Sequence, residues 1–69
     1  MNGAPLTVSI ASVSDREALV GEVWCGDTQV AEVRTEGGAK RISIFPAVVP
    51  WDFALDEFLE AITRAAEGA

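Results

Sequence analysis

Few side chains in this sequence could do chemistry, and the most suggestive are Glu22 and Glu32. Each sits inside a stretch of alternating apolar and polar residues, so a hairpin would set the two carboxylates side by side on neighbouring strands. Paired carboxylates can share a proton in acid–base catalysis or hold a hard cation. Arg34 lies one pleat from Glu32, however, and opposite charges on an open sheet face form a solvated lattice that needs no catalytic role. Cys25 is the one thiol. A nucleophilic thiol needs a base beside it, and the sequence contains no histidine. Cys25 is therefore read as an inert, buried side chain. There is no tyrosine, no metal-ligand spacing, no phosphate-cradling glycine loop and no serine in a nucleophile elbow. These observations favour a protein that is not an enzyme and carries no cofactor, with a carboxylate- or metal-dependent enzyme at Glu22 and Glu32 as a remote alternative.

Size and charge narrow the remaining classes. The sequence has 69 residues, 49% of them apolar, and a net charge of −6. That suits one small domain with a modest core, and the apolar content argues against disorder. Five basic residues against eleven acidic ones disfavour nucleic acid and anionic membrane, since phosphate contacts need clustered Lys and Arg. The charge permits the reverse, docking on a basic protein surface. A single cysteine allows no internal disulfide, which points to a reducing, cytoplasmic setting. The N-terminus lacks a positive n-region, and Thr7 and Ser9 interrupt its apolar run, so it does not read as a signal peptide.

The elements that position these residues follow from periodicity. Leu55, Phe58, Leu59, Ile62, Ala65 and Ala66 recur at i, i+3, i+4, i+7, i+10 and i+11, which predicts a helix over 55–66. Asp56 and Glu57 favour its first turn and Gly68 its end. Period-two alternation predicts strands over about 6–11, 19–25, 30–35 and 41–45. Residues 1–4 are expected to fray. Ser14–Glu17 is read as a connection, Gly37-Gly38 as a two-residue turn, and Pro46 and Pro50 as the ends of an irregular crossing to the helix. The fold class is α+β: a four-stranded antiparallel β-meander with one C-terminal amphipathic helix packed on one face.

Register assigns the faces. A turn at Gly37-Gly38 pairs Val33 with Ile42 and Ala31 with Ile44. A three-residue loop, Gly26–Thr28, would pair Val23 with Ala31 and Trp24 with Val30, and Val8 would meet Val23. Leu6, Val8, Ile10, Leu19, Val23, Ala31, Val33, Ile42 and Ile44 then form the core under the helical stripe. The opposite face would carry a row of Trp24, Val30 and Phe45, flanked by Val20, Glu22, Glu32, Arg34 and Arg41. An open sheet face is normally polar, so that row reads as a docking surface. Trp51, just before the helix, either plugs the end of the core or enlarges the Trp24 patch. Asp56, Glu57 and Glu60 form an acidic ridge suited to a basic partner. The expected function is a small acidic protein-binding module, an inhibitor or accessory subunit that binds itself or one other protein. A structural homodimer with its sheet faces packed together is the alternative.

Overall fold

The computed structural model describes residues 5–13 and 18–69, excluding the side chains of residues 13 and 18. The expectations for residues 1–4 and for Ser14–Glu17 lie outside the described residues. The expected α+β architecture is present. Strands β1 (Leu6–Val13), β2 (Ala18–Cys25), β3 (Thr28–Glu36) and β4 (Ala39–Ile44) form one antiparallel sheet in the order β1-β2-β3-β4, and α1 (Leu55–Gly68) packs on one face. The first and third strands and the helix run two to three residues further than periodicity indicates, an ordinary uncertainty at element ends.

Turn chemistry fixes most of the register. Gly37 and Gly38 both adopt positive φ, at 59° and 83°, which a two-residue hairpin turn requires. Val33 accordingly faces Ile42 and Ala31 faces Ile44, while Val8 meets Val23 across β1 and β2. The β2–β3 turn departs from expectation. It is two residues long, Gly26-Asp27, and pairs Cys25 with Thr28 and Trp24 with Gln29. The register then shifts, so Val23 still faces Ala31. Gly26 at φ 64° permits the tight turn, and the spare residue, Val30, is taken up in a β-bulge. The pairing of Trp24 with Val30 is thus corrected. Val30 and Ala31 are consecutive yet both fully buried, which strict alternation forbids and a bulge allows.

The core is small and built from small residues. Val23, Cys25, Val30, Ala31 and Val33 of the sheet meet Ala61 and Ala65 of the helix, with Leu6, Val8, Trp51, Phe53, Phe58 and Ile62 packed around them. Gly21 sets how closely α1 approaches. A Cβ there would lie 2.7 Å from the Ala65 Cα and closer still to its carbonyl oxygen, so the helix backbone rests directly on β2. From residue 45 the chain crosses to the helix. The Trp51 indole donates to the Phe45 carbonyl at 2.9 Å, and Trp51, Phe53 and Phe58 stack in sequence with centroids 5.6 and 5.7 Å apart. Trp51 therefore closes an end of the core.

Several residues expected in the core are exposed: Ile10, Leu19, Ile42 and Ile44 in the sheet, and Leu55 and Leu59 in the helix. For Ile42 and Ile44 the reason is width. One helix about 10 Å across covers two to three strands spaced about 4.8 Å apart, not four. Centred on Ala61 and Ala65 rather than on the leucines, α1 lies over β2, beside β1 and the near side of β3.

Candidate functional site

The face turned away from α1 is polar over most of its width. Ser9, Glu22, Glu32 and Ser43 form one row across all four strands. Glu22 accepts a hydrogen bond from the Trp24 indole at 3.2 Å. Arg34 donates to Ser43 Oγ and to Glu36 Oε2, both at 2.8 Å, and Arg41 approaches Glu36 at 3.8 Å. The hydrogen bond that Arg34 donates to Glu36 is the largest cause raising the Arg34 pKa above its ordinary value, against the opposing pull of desolvation. Glu22 and Glu32 are cross-strand neighbours, as register predicts. Among the described residues no three His, Cys, Asp or Glu side chains group as metal ligands.

This face does not carry the expected row. Val30 lies in the helix-side core, Val20 is buried, and Trp24 stands opposite Gln29. Trp24 and Phe45 are half-buried, and Trp51 packs on the core. Of the expected docking residues, Glu22, Glu32, Arg34 and Arg41 are brought together as a polar lattice, while Val20, Val30 and Trp51 supply no exposed apolar surface to it.

The apolar surface lies on the other side, beside the helix. Three contacts fix how α1 is turned about its axis. Gly68 abuts Ile10 of β1, Glu57, Glu60, Ala61 and Arg64 line a recess with Pro5 and Leu6, and Lys40 of β4 donates to the Ala69 carbonyl. The flank bearing Glu57, Glu60 and Arg64 thus faces β1. At 3.6 residues per turn, Leu55, Leu59, Ile62 and Ala66 occupy the opposite flank, toward β4. Under that flank the helix-facing side of β4 is uncovered. Ile42 is 44% exposed, Ile44 59%, Leu55 70% and Leu59 55%. Floor and wall together make a trough with β4 as its base and α1 as one side. The crossing 45–54 closes the trough at its Ile44 and Leu55 end, and there Val48 and Val49 are also exposed. Beside them a shallow recess is lined by Thr28, Pro46, Ala47, Val48 and Trp51.

Asp56, Glu57 and Glu60 are all exposed, but they divide between two surfaces. Glu57 and Glu60 overlook β1, whereas Asp56 lies with Glu67 on the outer surface of α1, next around the helix from the Leu55/Leu59 flank. No described helix is long and apolar enough to cross a membrane. Cys25 is buried. Comparisons with protein-family models, with curated proteins and with solved structures find no match to this chain.

Proposed function

We propose that this chain is a non-enzymatic protein-binding module, an inhibitor or accessory subunit, that docks through the trough between α1 and β4. One observation carries the reading: four large aliphatic side chains, Ile42, Ile44, Leu55 and Leu59, stand roughly half exposed or more along one continuous step. Scattered surface aliphatics are ordinary, but a contiguous patch rimmed by charge marks a surface that contacts another protein. The acidic net charge supports a basic partner, and the lone buried thiol suits a cytoplasmic setting.

The test is affinity capture from the source cell, with the wild type compared against Ile44→Lys and Leu59→Lys. Both substituted side chains already reach solvent, so the variants should stay folded. A partner held by the wild type and lost by both variants, but retained by Glu22→Gln on the opposite face, is the expected result. Capture lost by Glu22→Gln and kept by the trough variants would move the docking surface to the Trp24 face and overturn the proposal.

A further inference from the structure

The dimensions of the trough restrict what can fill it. Strands lie about 4.8 Å apart, so β4 is two spacings, roughly 10 Å, from β2, on which α1 rests. Packed helices lie 8–10 Å apart. A second helix seated on Ile42 and Ile44 would therefore meet the Leu55/Leu59 flank at ordinary packing distance.

A second copy of this chain fits poorly. Pairing β4 with its own symmetry mate would place the two α1 helices some 24 Å apart, five strand spacings, leaving both leucine flanks uncovered. Inserting α1 of one copy into the trough of the other would lay Asp56 and Glu67 over Ile42 and Ile44, burying unpaired carboxylates against aliphatics. The same acids supply the charge argument for a different occupant. Asp56 and Glu67 border the outer lip of the α1 wall. The nearest lysine on the helix side of β4, Lys40, is engaged with the Ala69 carbonyl.

We infer that the trough receives one amphipathic helix of another protein, with large aliphatics at i, i+3 or i+4 and i+7 and with Lys or Arg along the flank facing α1. This rests on the docking reading above and names its partner class: helix-in-groove recognition rather than strand addition.

The test uses the full chain and fluorescein-labelled synthetic 16-residue peptides, read by anisotropy. One peptide has a leucine stripe at helical spacing with Lys/Arg flanks, a second the same stripe with Glu flanks, and a third the first composition rearranged to alternate as a strand. The basic helical peptide should bind and gain helical circular dichroism. The Glu-flanked peptide, and the chain variants Ile44→Lys and Leu59→Lys, should each weaken binding tenfold or more. Ile44→Thr and Leu59→Gln, gentler changes at the same positions, serve if either lysine variant loses its melting transition. Failure of the basic helical peptide to bind, equal binding of the strand-patterned peptide, or indifference to flank charge would overturn the inference. So would a dimer in light scattering that Ile44→Lys dissolves, which would assign the trough to a second copy and leave the docking reading intact. Partner capture unaffected by the trough variants would instead remove the docking reading itself.

Discussion

Gly21→Ala should be among the most damaging single-atom additions this chain can receive. In isolation the change favours a strand, since alanine loses less backbone entropy than glycine by about 0.5–1 kcal/mol. Geometry reverses the sign. The new Cβ would lie 2.7 Å from the Ala65 Cα, and that atom is helix backbone with no rotamer through which to retreat. Restoring ordinary carbon–carbon contact, about 3.5–4.0 Å, requires α1 to rise by roughly 1 Å, which forfeits a quarter to a half of each dispersion well it opens. Ala61 and Ala65 would draw away from Val23, Ala31 and Val33, the centre of the core. Overpacking of this kind costs about 1–3 kcal/mol. At roughly 0.05–0.15 kcal/mol per residue, total stability is about 3–10 kcal/mol, so about a third of it is at stake at the middle of both ranges. Urea unfolding followed by tryptophan fluorescence is the assay. With a slope near 1–2 kcal/mol/M for a small domain, the midpoint should fall by about 0.5–3 M. A midpoint equal to or above wild type would show that the helix is not seated on Gly21.

Two further outcomes follow from burial and bonding. Leu59→Ala should cost less than about 1 kcal/mol, because the side chain is 55% exposed, while Val23→Ala should cost about 2 kcal/mol through two lost methyl groups and the cavity left behind; thermal melts of the pair that ranked the other way would contradict the placement of α1. Trp51→Phe removes the donor to the Phe45 carbonyl and should lower stability by about 1 kcal/mol, with the remaining emission reporting Trp24 alone; an unchanged melting temperature would mean the bond contributes nothing to holding the crossing.

Much of the fold was legible because its signals are local. Alternation marked the strands, Gly37-Gly38 fixed one register without ambiguity, and the 3.6-residue stripe marked the helix. The candidate surface was legible only in part. The sequence pattern treats every apolar residue on the helix side as core, but a single helix cannot span four strands, and that comparison of widths was the signal that could have exposed Ile42 and Ile44. Alanine was the second obstacle. The leucines carry the hydrophobic signal in α1, yet the closest packing belongs to Ala61 and Ala65, where a small side chain lets the backbone approach Gly21. The bulge was the third. Both a two-residue turn and the pairing of Val23 with Ala31 are correct, and they are compatible only if Val30 is extra, a count that no periodicity reveals.

The order of strands in the sheet repeats their order in the chain, and this bears on how the domain assembles in time. The β2–β3 and β3–β4 hairpins close short loops, two residues at Gly26-Asp27 and two at Gly37-Gly38, so little loop entropy opposes those pairings. The helix is different. Its seat at Gly21 exists only after β2 has neighbours on both sides, and residue 65 must travel back across the whole hairpin pair to reach it. Sequence separation therefore predicts that α1 docks late on the folding route. Late contacts govern how fast a native state opens more than how fast it forms. A helix partner bound along α1 would then act chiefly as a brake on unfolding, lengthening the lifetime of the folded chain without hastening its arrival.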